Sequence, residues 1–65
     1  MNISKTKREL KEESLLDLRK AKVYLQTQSA AASNYKAKEL LEDAIQDVIF
    51  VIVRISRDLL NPNLV

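Results

Sequence analysis

The chain has 65 residues, 46% of them hydrophobic and 31% charged, with 11 Lys and Arg against 9 Asp and Glu for a net charge of +2. It has no Cys, His or Gly, which excludes disulfides, thiolate and imidazole metal sites or catalysis, and glycine-rich phosphate loops. Helix formers dominate and glycine turns are absent, so the composition predicts one small all-α domain that is not an enzyme and holds no cofactor or metal.

The first predicted helix covers residues 6–32 and begins at a capping signal. Thr6 is followed three residues later by Glu9, the spacing of a capping box, in which each side chain accepts a hydrogen bond from the other residue's backbone amide. Ser4 is a competing cap that lacks a glutamate at this spacing. We therefore expect the helix to start near Thr6.

Two apolar stripes follow at helical spacing along this first helix. The first stripe comprises Leu10, Ser14, Leu18, Ala21, Leu25 and Ala32, with Leu15 at its margin. The second comprises Leu16, Val23 and Ala30. One stripe suits a hairpin partner, and two stripes suit a helix that touches more than one neighbour.

A short turn is predicted at Ser33 and Asn34, which are good N-caps for a second helix over residues 35–60. A turn this short makes the two helices antiparallel. The second helix is expected to stop at Asn61-Pro62-Asn63, because proline cannot continue a helix. The chain is therefore predicted to form an antiparallel helical hairpin.

The second helix carries apolar residues on several sides. Its predicted heptad seam comprises Ala37, Leu41, Ala44, Val48, Val51 and Ile55. A flanking stripe comprises Ile45, Ile49, Ile52 and Leu59, and a third side holds Leu40, Phe50 and Val53. The run 48–53 is β-branched apart from Phe50, so strand is an alternative for it, but the heptad period on both sides favours helix.

A helix that is apolar on all sides is buried on all sides, whereas an isolated hairpin would expose half of this segment to water. Two hairpins paired as a four-helix bundle would cover it, with a two-fold homodimer as the default symmetry. A loose or partly folded monomer is the alternative. The predicted packing and self-association interface comprises Leu18, Leu25, Leu41, Ile45, Val48, Ile49, Val51, Ile52, Ile55 and Leu59.

The charged residues admit two other functions. A nucleic-acid surface could use the basic residues of the first helix, but acidic residues are interleaved with them and no aromatic residue lies among them to stack a base, so a solvated face is favoured. These basic residues are Lys5, Lys7, Arg8, Lys11, Arg19, Lys20 and Lys22. A cation site could use Glu39, Asp43 and Asp47, but a di-iron bundle would need histidine as well, so a solvated acidic face is favoured here too.

The longest apolar run has six residues, 48–53, against about 20 for a membrane span. The opening residues are not followed by the apolar core of a signal peptide. These features predict a cytoplasmic protein without a transmembrane segment.

Four short patterns resemble a small two-helix family without an assigned function, found in spore-forming Firmicutes. They are Leu18-Arg19-Lys20-Ala21, Leu25-Gln26-Thr27, Ala37-Lys38-Glu39-Leu40, and Ala44 with Gln46. Some members of that family are encoded near genes for spore membrane channel proteins. The resemblance covers residues 15–55 and implies a helix–turn–helix architecture and a bacterial origin, but it implies no catalytic or binding residues. An accessory role in a membrane or spore-associated complex is therefore a further alternative. The chain departs from the family pattern in the run 48–53, which is apolar in this chain. Members of the family are more polar at these positions.

Overall fold

The computed structural model describes residues 5–61, which form two helices, α1 (Lys7–Ala31) and α2 (Tyr35–Leu60). Near the chain ends, Lys11 Nζ lies 3.6 Å from Asp58 Oδ2, and Arg8 Nη1 donates a 3.2 Å hydrogen bond to the Leu59 carbonyl. These contacts place the start of α1 beside the end of α2. The predicted all-α antiparallel hairpin is confirmed.

The capping box at the start of α1 forms as the sequence predicts. The Glu9 backbone N–H donates to Thr6 Oγ1 at 3.1 Å, and the Thr6 backbone N–H donates to Glu9 Oε1 at 3.0 Å. Two amides that the helix leaves without intrahelical partners are thereby satisfied. The competing cap, Ser4, lies outside the described residues.

The turn between the helices needs no glycine. α1 ends at Ala31, one residue before the predicted end, and Ala32 is extended with φ −71° and ψ 128°. Asn34 Oδ1 then accepts the Ala37 backbone N–H at 3.0 Å and caps α2. No residue in 5–61 has a positive φ, so side chains with a Cβ are tolerated throughout this connection.

The second helix is continuous through the β-branched run, so the strand alternative for 48–53 is wrong. It ends at Leu60, where the Asn61 backbone N–H and Nδ2 both donate to the Arg57 carbonyl, at 3.0 and 3.1 Å. Asn61 thus satisfies a carbonyl of the last turn. The predicted stop also included Pro62 and Asn63, which lie outside the described residues.

The helices meet along one seam, and few side chains are fully covered. Among the described residues only Ser29 and Ile45 are buried, with 6% and 8% of their surface exposed. The half-buried residues of α1 repeat at alternating steps of four and three, and together with Ser29 they are Lys11, Leu15, Leu18, Lys22, Leu25 and Ala32. Along α2 the corresponding residues are Lys38, Leu41, Ile45, Val48, Ile52, Ile55 and Leu59. The hairpin therefore has a narrow core.

This seam differs from the stripes predicted for each helix. In α1, the predicted stripe members Leu10, Ser14 and Ala21 are exposed, and Lys11, Leu15 and Lys22 are half-buried instead. Lysine can occupy a seam because its aliphatic stem packs while its ammonium group reaches water. In α2, the predicted seam members Ala37 and Val51 are exposed, whereas the stripe described as flanking supplies the buried Ile45 and the half-buried Ile52 and Leu59.

Candidate self-association surface

The isolated hairpin leaves many large apolar side chains in contact with water. One core seam can cover only one side of each helix, and α2 is apolar on more than one side. The exposed large hydrophobic residues among those described are Leu10, Leu16, Val23, Tyr24, Tyr35, Leu40, Phe50, Val51, Val53 and Leu60. An apolar surface of this kind is typical of a protein with a partner.

The ten residues predicted as the packing and self-association interface divide into two groups. Nine are buried or half-buried in the hairpin and lie at or beside its seam: Leu18, Leu25, Leu41, Ile45, Val48, Ile49, Ile52, Ile55 and Leu59. The tenth, Val51, is 41% exposed and lies outside the seam. Contact of any of them with a second copy stays a prediction.

The first predicted stripe of α1 and the predicted heptad seam of α2 are both displaced from the observed seam, in the same direction. At 3.6 residues per turn, each stripe is rotated by about 50° about its helix axis relative to the seam. An open groove marks one side of the hairpin and is lined there by Gln26 and Ala30 of α1 and by Glu42 and Gln46 of α2. On both helices the stripes are rotated away from these residues. Both stripes therefore reach the opposite side of the hairpin.

We call that side the heptad face and define it by six residues that are not part of the seam. They are Leu10, Ser14, Ala21, Ala37, Ala44 and Val51. All six are uncharged, and four of them are Ala or Ser, so another helix could approach the backbone closely. Tyr24, which is 64% exposed, lies at the edge of this face, where an aromatic ring could cover an interface rim.

A second apolar surface lies on the groove side, towards the chain ends. It consists of Val53 and Leu60, and Phe50, which is 65% exposed, lies next to them on the side of α2 opposite the seam. The neighbouring flank of α1 carries Arg8 and Arg19, both exposed, so this side is mixed in character. On the heptad face both helices supply uncharged residues seven positions apart, and the two series end in the charged Lys7 and Asp58 towards the chain ends.

The groove itself has a polar lining and offers little chemistry. Besides the residues already named, it is lined by Asp43, and by Ser29 and Ile45 from the seam. Glu39, another residue of the predicted acidic face, is paired with Lys36 at 3.2 Å. Within residues 5–61, the structure brings together no group of three acidic residues that could hold a metal ion.

Carboxylates accompany most of the basic residues at the start of α1. Lys5 pairs with Glu13, Arg8 Nε lies 3.7 Å from Glu12 Oε2, and Lys11 pairs with Asp58. The hydrogen bond that Lys5 Nζ donates to the Glu13 carboxylate, together with the negative charge of that carboxylate, raises the pKa of Lys5. These pairs divide the basic surface considered for nucleic acid into locally neutral units, which does not favour phosphate binding.

The capping carboxylate also has a shifted pKa. Hydrogen bonds from the Thr6 backbone N–H and hydroxyl hold the pKa of Glu9 below its ordinary value. The group is at the helix start, where a negative charge also complements the helix dipole. Helix capping therefore accounts for this shift.

Over residues 5–61, neither helix combines the length and the apolar character needed to cross a membrane. No protein-family model, curated protein or solved structure matches the chain. The resemblance to the two-helix family of spore-forming Firmicutes stays a prediction. The surface of the hairpin therefore supplies the argument for function.

Proposed function

We propose that this chain is a small non-enzymatic structural module that self-associates, two hairpins pairing into a four-helix bundle with α2 contributing most of the apolar contact. The observation that carries the proposal is that both helices have, beside the seam and on the same side of the hairpin, further uncharged residues spaced seven apart, which form the heptad face. In a bundle, heptad positions point at the bundle axis, between the neighbour in the hairpin and the neighbour in the partner. The seam already supplies one stripe at heptad spacing for packing within the hairpin, so a second uncharged stripe beside it is left for a partner.

The exposed area of the hairpin supports the same proposal. The chain exposes 5540 Å² for a mass of 7.4 kDa. A compact monomer of that mass would expose about 4,200 Å², an excess of roughly 1,300 Å². A stable interface of standard size removes about 800 Å² from each partner. The excess exposed area of the hairpin is therefore large enough for one interface of standard size per chain.

Val51 is the position at which this proposal is tested most cleanly. It lies on the heptad face and is 41% exposed in the hairpin, so Val51→Asp places a charge in the interface while leaving the seam intact. Ile52 is less suitable because it is half-buried in the seam, where aspartate would disrupt the hairpin itself. We expect Val51→Asp to shift the mass measured by light scattering from about twice 7.4 kDa to 7.4 kDa at micromolar concentration.

Val23→Asp is the matched control. Val23 is 58% exposed on α1 and belongs to the second apolar stripe, away from the heptad face. The same chemical change there should leave the dimer mass unaltered. A Val51→Asp protein that keeps the wild-type mass, or a Val23→Asp protein that dissociates, would place the interface elsewhere.

Two alternatives remain with tests of their own. A nucleic-acid role predicts a gel shift at low salt that is lost when Lys7 and Lys11 are both replaced by glutamate, since phosphate contacts are strongest at low salt. An accessory role at a membrane predicts flotation with anionic vesicles. Neither has a supporting surface as extensive as the heptad face.

A further inference from the structure

The run 48–53 in α2 is helical although its side chains favour a strand. Five of its six residues are β-branched, and the sixth is Phe50. Such side chains lose rotamer freedom in a helix and are enriched in strands. The helix is nevertheless continuous through the run. Contacts with the rest of the hairpin therefore hold these residues in a conformation that their own side chains disfavour.

The contacts that hold this run in the helix are few. Three of its residues are half-buried at or beside the seam, and none is buried. The other three are Phe50, Val51 and Val53, and Phe50 is the most exposed at 65%. Regions with few buried apolar contacts open at a lower free energy than a well-packed core does. Separation of α2 from α1 would therefore release the run at a low cost in free energy.

In an extended strand the same six residues would be apolar on both faces. Side chains of a strand alternate between its two faces, so Val48, Phe50 and Ile52 would share one face and the other three residues the opposite face. The run contains no charge, proline or glycine, which is the composition of segments that stack as cross-β sheets. Copies of one segment stacked in this way satisfy each other's backbone groups and cover both apolar faces.

Opposite charges flank the run at its two ends. Asp47 precedes it and Arg54 follows it, and both are exposed in the hairpin. In a parallel, in-register stack each of these residues would lie beside its own copy in the next chain. In an antiparallel stack that pairs Val48 with Val53, each Asp47 would lie opposite an Arg54. Opposite charges directly across two strands stabilise their pairing, whereas like charges destabilise it.

We infer that residues 48–53, once α2 separates from α1 and unfolds, pair with the same segment of other copies of this chain as antiparallel strands of a cross-β assembly. The partner is again a second copy, but in an extended conformation, so the inference does not depend on the proposed helical dimer. The hairpin seam is what holds the segment away from this assembly. Its opening is the step that exposes the segment.

Incubation of the full chain at the temperature at which half of it is unfolded tests this inference. Wild type should form fibrils that bind thioflavin T and diffract at spacings of about 4.7 and 10 Å. Phe50→Lys places a charge within the run and should abolish them. Phe50 lies outside the seam and the heptad face, so the helical signal and the native mass of this variant should match those of wild type.

Leu16→Lys is the matched control, incubated like the other proteins at its own unfolding midpoint. Leu16 is 53% exposed on α1, so the same kind of change is made outside the run, and fibrils should form as in wild type. Equal loss of fibrils in both variants, or fibrils from Phe50→Lys at the wild-type rate, would overturn the assignment to 48–53. A wild-type chain that stays free of fibrils would overturn the inference altogether. None of these outcomes bears on the helical dimer, whose mass is measured under native conditions.

Exchange of the flanking charges tests the antiparallel arrangement. Asp47→Arg places like charges opposite each other in an antiparallel stack and should lower the fibril yield, and the addition of Arg54→Asp should restore it. Asp43→Arg raises the net charge equally at an exposed position outside the run and should leave the yield unchanged. A parallel stack pairs like charges in every one of these proteins. Equal yields throughout, or an equal loss with Asp43→Arg, would therefore overturn the antiparallel arrangement.

Discussion

At the residue scale, four polar side chains make hydrogen bonds at the ends of the two helices. Thr6 and Glu9 cap α1, Asn34 caps α2, and Asn61 bonds the last turn of α2. Short hairpins depend on such contacts because each helix end leaves unpaired amides or carbonyls that the small core cannot cover. The role of these residues is therefore to fix where the helices begin and end.

Replacing the α1 cap should cost a measurable fraction of the stability. Thr6→Ala removes the hydroxyl that accepts the Glu9 amide, and loss of such a cap lowers the free energy of unfolding by about 1 kcal/mol. Thr27→Ala is the matched control, because Thr27 Oγ1 only donates to the Val23 carbonyl within the helix. We expect the control to be neutral or slightly stabilising in urea denaturation, since alanine is the better helix former. Equal losses in the two variants would argue against a specific capping contribution.

The capping box should also make stability depend on acid pH. The pKa of Glu9 is lower in the folded chain than its ordinary value of 4.5, so the unfolded state takes up the proton first. The stabilising contribution is full above pH 4.5 and is lost as the pH falls through the lower folded pKa. The difference in urea midpoint between wild type and Glu9→Gln should therefore shrink on acidification. A difference that is constant with pH would contradict this assignment.

At the scale of the helices, the sequence predicted more of the fold than of the seam. The Thr6–Glu9 spacing and the run of heptads identify both helices and the turn, because capping and periodicity are local properties. The heptad period also predicted correctly that residues 48–53 continue the helix despite their β-branched character, since no second strand is available within the described residues to pair with them. The residues of α1 and α2 that face each other across the seam were harder to predict, because a helix that is apolar on several sides can pack through any of them.

The rotation of the seam has a physical cause in the side chains that share it. Lys11 and Lys22 are half-buried, and hydropathy patterns place lysine outside a core, although its stem can pack. The sequence stripe therefore omitted them and centred on Ser14 and Ala21, which are exposed in the hairpin. If the proposed bundle forms, the residues of this stripe face the central axis of the bundle. A single hairpin has no such axis.

Because the seam is narrow, truncation of Ile45 should lower the free energy of unfolding more than truncation of any other residue of α2. It is the one apolar side chain in residues 5–61 that is buried, and truncation of a buried isoleucine to alanine costs about 2–5 kcal/mol. Val53→Ala serves as the control because Val53 is exposed on the groove side of the hairpin, and its truncation should cost less than about 1 kcal/mol. Urea denaturation of both variants at one protein concentration makes the comparison. Similar losses would mean that the core is not centred on Ile45.

At the scale of the whole molecule, the hairpin has defined helix ends and a defined turn, but its two helices cover only part of their apolar surface. Its helices are capped, its turn is short and its two helices pack along their length, yet ten large hydrophobic residues within 5–61 remain exposed. Ordering a chain of this size against its conformational entropy needs more apolar burial than one seam supplies. A second copy on the heptad face would supply that burial without any change in the hairpin.

The molecular mass across a dilution series, with circular dichroism on the same samples, tests the central claim of self-association most directly. We predict a helical species of about twice 7.4 kDa at high concentration, and a loss of helical signal together with mass on dilution, because folding and pairing are linked. A helical species of 7.4 kDa at every concentration would contradict self-association. The heptad face would then be available to a different protein.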